Sequence, residues 1–359
     1  MNPRDRFRLD GFQDFYRRRN ERALFGIIHG SEYPLHRYPA SAKLPESRPL
    51  TPDDLDLPGY LRDGDALWQR HEATGDDTFW SASIFWGVPW VEAVIGCPLR
   101  ANHRTGSIHT EVPPGFDGAA SLPKVDDSNP WMRALRHHAR RLGEHAAGRY
   151  PLATTRMRGI SDLLAALYGG QELIFAMMEK PDEVRATADR LGEIWIQVAR
   201  AQLEAYPLFE GGHGAYLYNL WTPAGTAFYQ DDSVALLSPD LFEEFILPVA
   251  KKIASELPCL MHLHPTGFLP WQRWLELPFV AVELHIDHGG PSAKKLEPIH
   301  RAILERKPLV VWGELGDEDL ADVLRLPPGG LLVSVLARDP ARAVRAMEIA
   351  GRGALSSAR

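Results

Sequence analysis

The strongest constraint on the fold is a recurrence. Short apolar, β-rich runs of six to nine residues appear eight times: 23–29 (ALFGIIH), 78–86 (TFWSASIFW), 152–157 (LATTRM), 215–221 (AYLYNLW), 259–264 (CLMHLH), 279–287 (FVAVELHID), 309–315 (LVVWGEL) and 331–336 (LLVSVL). Their length and their flanking Gly and Pro favour strands. Amphipathic stretches with helix-start signals separate most of the later runs. Ser238-Pro239-Asp240 opens one, Lys180-Pro181-Asp182 another, and Asp317 and Asp339-Pro340 two more. Strand–helix alternation with near-continuous apolar strands predicts a parallel sheet covered by helices. Eight such units fit an α/β (β/α)8 TIM barrel. The expectation is a single domain over 1–359, with residues 1–77 as an N-terminal extension plus the first strand and 78–350 as the main barrel. Residues 31–75 and 86–152 are then insertions, the second carrying a helix in MRALRHHARRLGEHAAG. No GxGxxG follows a strand and no GxxxxGK[ST] occurs, so nucleotide-binding open sheets lose support.

Composition narrows the function classes. Apolar residues make up 45% and charged residues 24% of 359, which suits a soluble globular chain. The formal charge of −7 is opposite in sign to a nucleic-acid footprint, so no nucleic-acid partner is expected. No run approaches the ~20 apolar residues that a membrane helix needs, and the N-terminus lacks a signal-peptide core. Two cysteines, Cys97 and Cys259, rule out a disulfide framework and fit a cytoplasmic protein.

In a barrel, chemistry sits at strand C-terminal ends and the loops after them. His262 and His264 end the fifth run, and positions two apart on a strand share a face. Two imidazoles so placed suit zinc. Glu283, His285 and Asp287 alternate along the sixth run, which is costly inside an apolar strand unless they meet a wet pocket or a cation. Glu314 ends the seventh. Glu283, His285 or Glu314 are the candidates for a third ligand. A metal-free polar pocket built from the same groups is the alternative. Cys259, oddly spaced from His262, reads as a buried small hydrophobe. Asp231 and Asp232 follow the fourth run as substrate-holding acids or a solvated loop. Arg156 and Arg158 end the third, where arginine can clamp a carboxylate or phosphate, or Arg158 can pair with Asp162.

The segments GVPWVEAVIGCPL, TTRMRGISDLLAALYGGQELIFAMMEKPDEV, QDDSVALLSPDLFEEFILPVAKKI and MHLHPTG resemble the uroporphyrinogen decarboxylase superfamily. That superfamily holds true decarboxylases and zinc-dependent methyltransferases acting with corrinoid proteins or methylated thiols. The resemblance covers roughly 78–350 and implies the same barrel.

Three departures set the chain apart from the decarboxylase branch. Of the Arg-rich N-terminal signature only Arg37 and a displaced LPE remain. Gly87 stands where the essential Asp is placed, and the late His-Gly is missing. Against the methyltransferase branch, His262 matches the ligand His and His264 replaces the Cys. The later ligand Cys gives way to Val333-Ser334-Val335. His285 and Glu314 stand where relatives often carry Asp and Asn, and could compensate. The resemblance therefore implies zinc-assisted methyl transfer involving a corrinoid or a small methylated substrate. Metal ligands are His262, His264 and Glu314. Catalytic candidates are His285, Glu283, Asp232 and Arg158. The partners are a small-molecule substrate and a corrinoid protein. Alternatives are carboxy-lyase chemistry on a tetrapyrrole or other carboxylate, or a non-catalytic tetrapyrrole-binding barrel walled by Trp86, Trp90, Tyr218 and Trp221.

Overall fold

The computed structural model describes residues 2–215 and 217–352. Strands follow in chain order as β1 Leu24–His29, β2 Leu99–Asn102, β3 Ser107–Thr110, β4 Gly212–Ala215, β5 Leu220–Pro223, β6 Ala227–Gln230, β7 Cys259–Leu263, β8 Ala281–Ile286, β9 Leu309–Gly313 and β10 Leu331–Ala337. A six-stranded sheet runs β1-β10-β9-β8-β7-β6, with every pairing parallel.

Two irregular extended segments complete the ring. Residues 76–82 lie beside β1: the Asp77 amide donates to Phe25 O at 2.9 Å, and the Asp76 carboxylate accepts from the Ile27 amide at 2.8 Å. Residues 152–158 bridge that segment through Ala82↔Leu152 and β6 through Arg158↔Gln230, both parallel. Side chains replace ladder rungs here, as where Thr154 Oγ1 accepts from the Phe228 amide at 3.0 Å. The result is a (β/α)8 TIM barrel, two of whose staves are held partly by side chains.

Seven of the eight apolar runs are staves. The run at 215–221 is not, and Tyr216 within it lies outside the described residues. β4 and β5 form an antiparallel hairpin instead. Its chain reverses through Leu217 and Asn219, both in the left-handed region at φ 64° and 58°. The true fourth stave, β6, is only four residues long and follows the Pro223–Gly225 turn, so its apolar signal is weaker than the hairpin's.

Helix signals read from sequence hold well. The helix Pro181–Leu203 begins at its Lys-Pro-Asp signal, and Pro340–Ile349 is capped by Asp339, which accepts from the Arg342 amide. After Ser238 the helix passes through a π-helical turn, Phe242–Ile246, just before Pro248, whose missing N–H disrupts the i→i−4 ladder. The 86–152 insertion supplies the β2–β3 hairpin and the helix Pro130–Ala146. The hairpin packs on the loop after β1, with the Leu35 amide donating to Gly106 O at 2.9 Å. At the other end of the barrel, the Asn20 side chain donates to Pro328 O and accepts from the Gly330 amide, tying the N-terminal segment to the start of β10. Buried apolar residues from Leu9 to Met347 form one contiguous cluster. Among the described residues no helix is long and apolar enough to cross a membrane.

Candidate functional site

Parallel register assembles the site. His262 on β7 pairs across to Gln230 on β6 and to Glu283 on β8. One step up, His285 on β8 lies opposite Trp312 on β9. His264 and Asp287 follow immediately after their strands. Alternation puts His262 and His264 on one face of β7, and Glu283, His285 and Asp287 on the matching face of β8. His262, His264, His285 and Asp287 line a cavity of about 420 Å³ at the strand C-terminal end, walled by Trp86, Tyr218, Phe228 and Trp312 and edged by Ser107, Ile108 and His109 of the β2–β3 hairpin, while Glu283 is fully buried outside its lining.

The three imidazoles are tightly grouped. Ring centroids are 4.5 Å apart for His262–His264, 4.6 Å for His264–His285 and 6.0 Å for His262–His285. His262 Nδ1 is hydrogen-bonded to Glu283 Oε2 and lies 2.8 Å from the Tyr218 hydroxyl, which also donates to Glu283 at 3.1 Å. His264 Nδ1 is 2.8 Å from Asp287 Oδ1, and His285 Nε2 is 3.5 Å from the same oxygen. Gln230 donates its side-chain amide to Asp232.

Burial and mutual charge sort the protonation states. Burial, then the charge on His264, holds His262 down at about 3 and, with His262 added, His285 at about 2. Burial opposes charge on His264 too, but Asp287 and Asp232 outweigh it and raise it to about 9. Burial pushes Glu283 well above the usual carboxylate range. For Asp232 and Asp287 the surrounding imidazoles overcome burial and keep both below that range. His262 and His285 are thus neutral beside ionised carboxylates, the forms that ligate a cation, whereas His264 has to release a proton to do so.

Two overlapping sets meet the spacing of a metal shell: Asp232, His262 and His264, and His264, His285 and Asp287. Within each set the donor atoms lie within 4.8 Å of one another. His285 Nδ1 and Glu283 Oε1 are buried without a hydrogen bond and lie 3.8 Å from each other. His262 is held through Nδ1 by Glu283 and Tyr218, which fixes the ring and leaves Nε2 for a metal. A sulfur-free set of imidazoles and carboxylates suits zinc or another borderline divalent ion.

Glu314 does not join this cluster. Its carboxylate is bound by Arg338 Nε, and Arg338 also approaches Glu32 at 3.8 Å. It sits beyond the end of β9, where the chain has already turned toward the rim. Asp232, by contrast, lies at ligand spacing from His262 and His264. Arg156 and Arg158 line the cavity, and Arg158 lies 3.4 Å from the buried Glu92. Asp162 accepts from the Asp232 and Ser233 amides and also feels the charge of Arg158. Asp231 is structural, accepting from the Ser161 amide and the Tyr229 hydroxyl at 2.8 Å each. Arg37 is spent on the His29 and Ser31 carbonyls. Cys259 is fully buried, and burial pushes its thiol well up.

Of the expected aromatic walls, Trp86 and Tyr218 face the cavity. Trp90 packs on Trp131 and His138, and Trp221 donates to Phe209 O. Sequence reasoning missed the polar role of Tyr218, delivered by a hairpin mistaken for a stave. It also missed Gln230 and Trp312, which carry no motif, and did not offer Asp287 as a ligand although it stands in the same alternation as His285. Gly87 has φ 95°, and a Cβ there would lie 2.2 Å from Pro34 Cβ, so the place of the decarboxylase Asp is closed to any side chain.

The family model described as uroporphyrinogen decarboxylase (URO-D) matches residues 69–310, two-thirds of the chain. The chain belongs to the uroporphyrinogen decarboxylase family. Among solved structures it is similar to a methyltransferase from Methanosarcina mazei, with a TM-score of 0.65 and 17% identity over 96% of each chain. At that identity the likeness shows a shared fold. A putative glycerophosphoryl diester phosphodiesterase from Silicibacter pomeroyi follows at a TM-score of 0.38 and 11% identity, covering 96% of this chain and 98% of that one. A comparison with curated proteins gives no match.

Proposed function

We propose that this family member is a metal-dependent methyltransferase, with zinc held by His262, His264 and Asp232 and a small methylated molecule or a corrinoid as methyl donor or acceptor. The observation that carries the reading is the convergence of three imidazoles and two ionised carboxylates at the strand C-terminal end. A zinc ion there would supply Lewis acidity to the atom that gains or loses the methyl group. The chain's own residues do the rest. Glu283 and Tyr218 fix the ring of His262 through Nδ1. Asp287 holds the proton of His264. His285, kept neutral by burial, offers a third imidazole as ligand. Arg158 orients substrate from the third stave, and the aromatic walls exclude water.

Tetrapyrrole decarboxylation has weaker support. Gly87 leaves no acceptor for pyrrole N–H donors, and each unpaired donor would cost about 1–3 kcal/mol in a closed cleft. Arg37 is unavailable as a substrate cation. The cavity is near the lower end of the range for small-molecule sites. The test is an anaerobic assay with methylated thiols, amines and ethers and cob(I)alamin as acceptor. Methylcobalamin should form, and a chelator should abolish it. Coproporphyrinogen formation from uroporphyrinogen, with no methyl transfer, would overturn the reading.

A further inference from the structure

Arg156 projects into the cavity, is half-buried, and has no hydrogen bond or ion pair among the described residues. That is an unusual position for a guanidinium. Taking a charge partly out of water costs free energy unless a partner of opposite sign meets it. The surface arginines of this chain mostly solve this with carboxylates, as Arg185 does with Asp182 and Arg345 with Asp317. Arg158, two residues on, shares the face of Arg156 on the extended third stave and lines the same cavity. Its charge is met from behind by Glu92, a fully buried carboxylate on another element. The backing fixes Arg158 and leaves Arg156 as the cation without a counter-charge. Both lie within electrostatic reach of the imidazole cluster, Arg156 acting on His262 and Arg158 on Asp232.

We propose that Arg156, with Arg158 beside it, binds an oxyanion group of the substrate, a carboxylate or a phosphate, whose other end reacts at the imidazole cluster. The inference rests on the reading of that cluster as the reacting end and adds the substrate class: a compact molecule with a negative group at one end. A guanidinium meets a carboxylate or phosphate through paired N–H donors, so the contact fixes orientation as well as affinity. The aromatic residues that line the same cavity, Trp86, Tyr218, Phe228 and Trp312, suit a flat or apolar spacer.

The experiment uses chelator-treated full-length protein, so that no metal can bind the anion. Quenching of tryptophan fluorescence, to which Trp86 and Trp312 in the walls contribute, reports binding of benzoate, of inorganic phosphate and of neutral benzamide. Saturable binding of benzoate or phosphate at millimolar concentrations is expected. The stronger of the two assigns the group as carboxylate or phosphate. Arg156→Met should weaken it by about tenfold or more, and Arg156→Lys by less. Both variants should keep the circular-dichroism melt and the metal uptake of the wild type. Equal binding by Arg156→Met, equal binding of benzamide and benzoate, or no saturable binding of either anion would overturn the proposal. Anion binding through Arg156 in a protein that takes up no metal would support the subsite while removing the metal reading.

Discussion

Tyr218 shows how a single side chain acts through another. Its hydroxyl reaches both His262 Nδ1 and Glu283 from a left-handed turn. Tyr218→Phe should therefore weaken metal binding by about 10–100-fold while leaving the fold intact. Competition titration against a chromogenic chelator would measure it, and unchanged affinity would reduce Tyr218 to a wall. His300 tests burial at the opposite extreme. Both its ring nitrogens are buried without a hydrogen bond, and burial holds its pKa at about 4 against 6.5 in an unfolded chain. Between those values the unfolded state binds the extra proton, so this group lowers stability as pH falls from about 6.5 toward 4. Below that the loss levels off. His300→Leu should recover about 2 kcal/mol more at pH 5 than at pH 8, read from urea midpoints. An equal effect at both pH values would show that His300 does not titrate with folding. At this scale the sequence was informative where types alternate. His262, His264, Glu283 and His285 were legible because ionisable residues interrupt apolar strands. Glu314 read the same way and sits elsewhere, because one residue past a strand end decides whether a side chain faces the lumen or the rim.

Elements were legible in proportion to their apolar length. β7 through β10 announce themselves, while β6 has four residues and was eclipsed by the louder 215–221 run. Period and composition do not distinguish a parallel stave from one arm of an antiparallel hairpin when both are short. The staves at 76–82 and 152–158 are irregular because Asp76 and Thr154 side chains replace backbone rungs, a substitution no pattern reveals. Gly87 belongs to this scale as well, because the loop after the second stave packs directly on Pro34. Gly87→Ala forces both a left-handed non-glycine conformation and a collision. It should cost about 1–3 kcal/mol for the backbone alone, with more from the displaced Pro34, in chemical denaturation. A neutral result would mean that the two loops move apart readily, reopening the position to the decarboxylase Asp.

At the scale of the molecule, the barrel turns separate sequence runs into one chemical surface. β6, β7 and β8 and the residues just after them contribute the donors, the third stave contributes two arginines, and the β2–β3 and β4–β5 hairpins supply the cavity edge and Tyr218. If the donors hold an ion, bound metal adds to folding stability by mass action. Chelation should lower the melting temperature of the wild type and leave His262→Ala/His264→Ala unmoved. The most direct measurement is metal content by plasma mass spectrometry after reconstitution with zinc and gel filtration. The expected result is about one equivalent per chain in the wild type, none in His262→Ala/His264→Ala, and the wild-type value in Glu314→Gln, whose carboxylate belongs to Arg338. No bound transition metal in the wild type, or loss on Glu314→Gln with retention in the double variant, would contradict a metal centre at the ends of β7 and β8.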